Sequence, residues 1–336
     1  MTQALSRITT DIDYARPGLQ SGVLRIPHSV DRSGYGHIRV PIAVAGDGQG
    51  PTLLLTGGNH GDEYEGPVAL MKLMQRLPSM AIKGRLIVVP GLNFPAFING
   101  TRTSPIDKGN LNRLFPGRRD GSITEMIAHY VETQLLPLVD VAFDIHAGGA
   151  SFYHLPTLLV TLPEDRALHA RYKELVNAFG AQRAMVANLL GEDRTFAAAM
   201  ARRGAMFLCG EFGGGAHCAP EHLAVVEQGI EGLMAALGMI DARAPSRPAA
   251  AARLLGVKGR EHYIYASHAG IFEPAFRLGD EVSAGQLAGR IHDPHHPGQA
   301  PVEVRFEGDG VAICLRTFAG VQPGDCLGHL AADVNW

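Results

Sequence analysis

The chain has 336 residues, 46% of them hydrophobic and 19% charged, with a formal net charge of −3. That length exceeds one small core and argues for two domains, and the charge excludes a general nucleic-acid or membrane-surface binder. No apolar run approaches the ~20 residues of a membrane span, residues 1–17 lack the apolar core of a signal peptide, and four cysteines without C-x-x-C spacing point to a reducing, cytoplasmic setting.

Residues 23–26 and 37–44 read as opening strands and residues 51–55 as a buried one. The stretch Thr56-Gly57-Gly58-Asn59-His60-Gly61-Asp62-Glu63-Tyr64-Glu65-Gly66-Pro67 then turns the chain into a helix that runs to about Leu77, with Pro67 suited to its first turn. The turn presents His60 and Glu63, three residues apart and within reach of one metal ion. Imidazole nitrogen and carboxylate oxygen are ordinary zinc ligands, and a catalytic zinc usually takes three protein ligands plus water. Residues 85–89 form another apolar strand. Residues 94–121 have little periodicity and much Gly, Pro, Asn and Arg, and a loop of that length in a compact domain is usually functional or disordered.

Ser122-Ile123-Thr124-Glu125 is a capping box that opens a helix to about Leu136. Residues 139–145, 157–162 and 205–209 read as strands, and residues 164–179, 193–203 and 221–237 as helices. Strands alternating with helices make an α/β sheet whose sites lie where strands give way to loops. His146 stands at such a strand end and supplies the third ligand candidate. Asp144, two residues earlier on the same strand face, suits an orienting partner for an imidazole. Glu211, read as another strand end among glycines and apolar residues, is the general-base candidate, because partial desolvation raises a carboxylate toward a useful pKa. In the long loop, Asn112 and Arg113 suit bidentate recognition of a carboxylate, and Arg102 suits polarisation of a scissile carbonyl.

Composition changes over residues 242–255, which read as a linker between a catalytic domain (1–241) and a β-rich domain (256–336). In the latter, two related phrases with Gly-Asp turns, Gly279-Asp280 and Gly324-Asp325, predict a small β-barrel or sandwich of two similar halves. Its only lysine is Lys258, so a lysine-modified carrier domain is not expected, and a lid or assembly surface for a homo-oligomer is. His292, His295 and His296 read as a polar turn rather than a second metal site.

The phrases Gly58-Asn59-His60-Gly61-Asp62-Glu63, Thr101-Arg102-Thr103 through Asn112-Arg113-Leu114-Phe115, Asp144-Ile145-His146, and Glu211 followed by glycines occur in one order. Together they resemble the succinylglutamate desuccinylase/aspartoacylase family, within the zinc carboxypeptidase-like superfamily. The resemblance implies a mixed sheet flanked by helices and one zinc per chain on His60, Glu63 and His146. It also implies Glu211 as base, Arg102 at the carbonyl, and Asn112 with Arg113 as a carboxylate clamp. Many members carry Asp-Leu-Asn-Arg where this chain has Asn110-Leu111-Asn112-Arg113. The longer shared words are similar to the branch that deacetylates N2-acetyl-L-2,4-diaminobutanoate in ectoine breakdown, which implies a small N-acyl amino acid as substrate. Ala147 to Phe152 and Ala216-His217-Cys218 are the stretches expected to tune its specificity. A desuccinylase, an aspartoacylase, a carboxypeptidase and a metal-dependent binding protein are the other readings.

Overall fold

The computed structural model describes residues 6–163, 165–187, 191–241 and 251–336. Strands β1 (Gln20–Pro27), β2 (His37–Ala45) and β3 (Thr52–Gly57) lead into helix α1 (Glu65–Arg76). Then come β4 (Arg85–Val89), α2 (Phe94–Asn99), α3 (Ile123–Tyr130), β5 (Val141–His146) and β6 (Phe152–Val160). They are followed by α4 (Ala167–Phe179), β7 (Arg183–Val186), α5 (Phe196–Arg202), β8 (Met206–Gly214) and α6 (Pro220–Ala236). The last part is all strand: β9 (Arg253–Gly256), β10 (Tyr263–Tyr265), β11 (Gly270–Pro274), β12 (Glu281–Val282), β13 (Leu287–His292), β14 (Val302–Arg305), β15 (Gly310–Arg316), β16 (Gly320–Val321) and β17 (Cys326–Asp333).

The centre of the molecule is the parallel run β4-β3-β5-β8, with antiparallel β1 and β2 on one flank and antiparallel β6 on the other. Both faces of this sheet are covered, which is why Leu53, Leu54 and Leu55 are all fully buried. Alternation sends Leu53 and Leu55 to a core shared with α1, α4 and α6. It sends Leu54 to the opposite core, built with α3, α5 and the N-terminal Ile8 and Ile12. The α/β class expected from the alternation of patterns is observed. Among the described residues no helix is long and apolar enough to cross a membrane.

Several boundaries differ from expectation for identifiable reasons. The capping box of Ser122 and Glu125 is present, but the regular helix ends at Tyr130. A π-turn over Val131–Leu135 and a 3-10 turn over Leu136–Leu138 follow, the latter containing Pro137, which has no N–H to continue the ladder. Strand β8 runs on through Gly210 and Gly213 to Gly214 instead of ending at residue 209. A Cβ at Gly214 would meet the Phe152 carbonyl oxygen at 2.0 Å, so glycine here permits close strand approach rather than a loop. Glu211 therefore lies inside a strand and not at its end.

Residues 242–250 of the expected linker lie outside the described residues, and Arg253–Gly256 is strand β9, so the boundary expected at 255/256 falls inside a strand. Strand β9 pairs with β7 on one side and β17 on the other. Since β17 pairs with β15 and β15 with β6, the strands β6-β7-β9-β17-β15 close into a ring that shares one sheet with β1 to β5 and β8. A separate four-stranded sheet, β14-β13-β11-β16, packs with the far side of β15 and β17 around Phe272, Phe276, Phe306 and Leu330. The barrel-like character expected of this part is thus present.

Candidate metal centre and active site

The C-terminal ends of β3 and β5 lie side by side, with Gly57 opposite Ile145. His146 in turn stands opposite Glu211 of β8. The turn after β3 carries His60 and Glu63 to this edge. It is held against the long loop by the Gly61 N–H, which donates to the Thr101 carbonyl at 2.9 Å. A Cβ at Gly61 would meet the Ala96 backbone at 2.0 Å, so only glycine lets the two segments touch.

His60, Glu63 and His146 are each less than 5% exposed. The Glu63 carboxylate spans the two imidazoles: Oε1 lies 2.7 Å from His60 Nδ1 and Oε2 lies 2.8 Å from His146 Nδ1. Burial pushes Glu63 up, but the two imidazoles outweigh this and hold it far below the usual carboxylate range, so it is ionised. The outer nitrogens are both committed as donors. His146 Nε2 donates to Asp144 Oδ2 at 2.7 Å. Burial acts to raise the Asp144 pKa, but His146, Thr56 and Asn59 hold this carboxyl ionised. His60 Nε2 faces Asn110 Oδ1 at 3.2 Å, and the Asn112 backbone N–H donates to that same oxygen at 3.1 Å. The shared acceptor fixes the amide orientation and makes His60 Nε2 the donor. The two Nδ1 atoms and a carboxylate oxygen therefore converge, all within 4.8 Å of one another. Ligands whose far nitrogens are held by hydrogen-bond acceptors are the pattern of a zinc site, and the residues present fit a zinc ion.

Beside this cluster opens a cavity of about 450 Å³. His60, Glu63, His146, Arg102, Asn112, Arg113 and Glu211, the full set expected from the sequence, all line it. Arg102 Nη1 lies 3.7 Å from Glu63 Oε1 and 3.5 Å from His60 Nδ1. Asn112 Oδ1 accepts the Phe196 N–H at 3.0 Å, which leaves its amide NH₂ as the group with hydrogen-bonding capacity to spare. Arg113 Nη1 donates to the Asn112 carbonyl at 2.7 Å, and its Nε lies 3.7 Å from Glu192. Burial first, then the charge of Glu63, pushes Glu211 up to about 8, against the pull of His146 and Arg102, and its Oε2 is buried with no hydrogen-bond partner.

A model of the succinylglutamate desuccinylase/aspartoacylase catalytic domain matches residues 49–237. A relative from Halomonas elongata, described as N-alpha-acetyl-L-2,4-diaminobutyric acid deacetylase, is 40% identical over 335 residues, 99% of this chain and 97% of that one. This chain belongs to the succinylglutamate desuccinylase/aspartoacylase family. Among solved structures, the product-bound ectoine utilization protein EutE (DoeB) from Ruegeria pomeroyi superimposes with a TM-score of 0.92 at 34% identity, covering 98% of this chain and 100% of that one. A succinylglutamate desuccinylase/aspartoacylase from Rhodobacter sphaeroides does so with a TM-score of 0.92 at 36% identity and the same coverage.

Asn110 is the partner of the His60 Nε2–H. Removing such a partner typically costs 10–100-fold in metal affinity. We expect Asn110→Ala to weaken zinc binding by about that factor in chelator competition and Asn110→Asp to tighten it, since a carboxylate accepts more strongly than an amide. Equal affinity in all three proteins would show that this contact does not tune the centre.

The pocket edge differs in part from expectation. Ala147, Gly148, Ser151 and Phe152 line the cavity, whereas Ala216, His217 and Cys218 do not, and His217 instead packs on Tyr153. Sequence inspection missed Asp62, whose Oδ2 accepts the Ala150 N–H at 2.7 Å and ties the His60 turn to the segment after His146. The neighbouring Gly149 has φ +57°, and a Cβ there would meet Asp62 Oδ2 at 2.6 Å. An Asp next to a ligand motif, with a Gly-Gly after the partner strand, is the only local sign of that tie.

Asp107 was also missed. It accepts from the Thr124 N–H at 2.7 Å, the Thr124 hydroxyl at 2.8 Å and the Gly109 N–H at 3.1 Å, and so pins the loop that carries Asn112 and Arg113 to the start of α3. Burial pushes its carboxyl up, but the hydrogen bonds from Thr124, Ser122 and Gly109 prevail and lower it below 3.8. The folded state therefore binds this proton less readily than the unfolded chain. The resulting stability is present above that ordinary value and is lost as pH falls through the lowered one. Asp107→Asn should cost about 1 kcal/mol at pH 7, allowing for partial solvent exposure. The gap in melting temperature from wild type should shrink on acidification below pH ~4. A gap that stays constant down to the lowest accessible pH would mean that the carboxylate charge contributes nothing.

Proposed function

We propose that this chain is a zinc-dependent amide hydrolase that deacylates a small N-acyl amino acid, with N2-acetyl-L-2,4-diaminobutanoate or a close relative as substrate. The observation that carries this reading is the convergence of a His–Glu–His donor set, a strongly raised carboxylate and two arginines on one small cavity. The activity described for the Halomonas relative supports the choice of acyl amino acid. In this reading the catalytic half follows the zinc carboxypeptidase-like plan.

His60, Glu63 and His146 hold the zinc. When bound, the ion supplies a Lewis acid and a water of lowered pKa. Arg102 hydrogen-bonds the scissile carbonyl and stabilises negative charge developing on its oxygen. Arg113 and the Asn112 amide NH₂ grip the substrate carboxylate and so orient the amide. Glu211 accepts a proton from water during attack and delivers it to the leaving amine.

The test compares wild type with Arg113→Ala on N2-acetyl-diaminobutanoate and on its carboxyl-amidated analogue. A charge-assisted hydrogen bond contributes roughly 1.5–3 kcal/mol when buried. Half exposure of the Arg113 side chain reduces this, so about a tenfold loss of kcat/KM is expected on the acid and almost none on the amide. Equal losses on both would remove carboxylate recognition from the function. A metal-loaded wild type that hydrolyses no member of an N-acyl amino acid panel would overturn the activity itself.

A further inference from the structure

The strand ring carries a second constellation of metal-binding chemistry. On β15, Cys314 stands directly opposite His154 of β6 on one side and His329 of β17 on the other. Directly paired residues project from the same face of a sheet, so all three side chains meet. Their donor atoms lie within 4.8 Å of one another, and the two imidazole centroids are 5.6 Å apart. A bulge between Ala312 and Cys314 adjusts the register at this spot, as bulges do where a side chain must be re-aimed. Ala331, two residues beyond His329 and on its face, packs with Leu255, Val311 and Ile313 inside the ring, so the trio caps an apolar interior.

The state of these groups fits a ligand set better than a packing set. Cys314 is a free thiol, 1% exposed. His329 Nδ1 is buried with no hydrogen-bond partner, an uncommon condition for an imidazole nitrogen. The centre defined by His60, Glu63 and His146 uses none of these three residues.

We propose that His154, Cys314 and His329 form a second zinc site, which staples β6, β15 and β17 at the seam where the ring closes. Two imidazoles and one thiolate are a borderline-soft set that favours Zn²⁺ over Mg²⁺ or Ca²⁺. Binding releases the Cys314 thiol proton to solvent, because the thiolate is the ligand. His154 also lines the catalytic cavity, so the staple stiffens one wall of the active site.

The full chain, stripped with chelator and titrated with Co²⁺, tests this directly. Thiolate-to-cobalt charge transfer gives near-ultraviolet absorption, which a His–Glu–His centre does not. Wild type and His146→Ala should both show the band, and Cys314→Ser should lose it together with one ion per chain. Zinc should raise the Tm of His146→Ala and leave that of His146→Ala/Cys314→Ser unchanged. Should Cys314→Ser fail to fold, His154→Gln and His329→Gln serve in its place, each expected to weaken binding at this site at least tenfold. A band that survives in Cys314→Ser would assign the thiolate to another cysteine and overturn the proposal. So would the absence of any band in wild type, or full loss of bound metal in His146→Ala.

Discussion

Glu211→Gln is expected to keep its fold and its zinc and to lose about 10²–10⁴-fold in kcat, the usual contribution of a general base. Gln matches Glu in shape, and the carboxylate oxygen Oε2 has no hydrogen-bond partner to forfeit. The substitution also removes a group that burial and Glu63 disfavour in its charged form. The variant should therefore melt at the same temperature as wild type or higher. As the proposed base, Glu211 works only when ionised, so wild-type kcat should fall as pH drops through its raised pKa, and the residual rate of the variant should lack that acid limb. Single-turnover rates with zinc content measured on the same samples make the test. An unchanged kcat would remove Glu211 from the proton transfer.

His146→Ala should lower the zinc content by one ion per chain and abolish turnover. It should also destabilise the fold, for a reason separate from the metal. Asp144 is fully buried and Glu63 almost so. Each depends on His146 for a hydrogen bond of 2.8 Å or less. Thr56 and Asn59 still serve Asp144, and the Ala147 N–H still serves Glu63 at 3.3 Å, so the carboxylates are left partly satisfied. Removing one partner of a buried pair costs roughly 3–5 kcal/mol. The double variant His146→Ala/Asp144→Asn should recover part of the lost Tm without recovering the ion, since the amide tolerates burial but no imidazole returns. Elemental analysis that finds wild-type zinc content in His146→Ala would refute the ligand assignment.

Features that one short segment controls were legible in the sequence. The strand-turn-helix over residues 52–76 depends on local signals: an apolar run, glycines, and Pro67 in the first turn. His60 and Glu63 share that turn, so their proximity follows from spacing alone. His146 and Asp144 share a strand face by the same logic, and their contact is present. The capping box of Ser122 and Glu125 needs only four residues.

What the tertiary structure decided is pairing between distant strands. The register of β5 against β8 sets His146 opposite Glu211 and makes a mid-strand carboxylate a pocket wall. Glycines in β8 look like a loop in sequence, but the Phe152 carbonyl needs the missing side chain of Gly214 to approach. Asn112 looks free to bind ligand with its whole amide, yet Phe196, 84 residues away, takes its oxygen. The ring of β6, β7, β9, β17 and β15 joins segments on both sides of the expected linker, and so brings His154 beside Cys314 and His329. Spacing in a chain encodes only the neighbours that one helix or strand provides. Register between strands is set by which apolar faces bury together across the whole sheet, and a shift of one residue would turn each of these side chains to the opposite face.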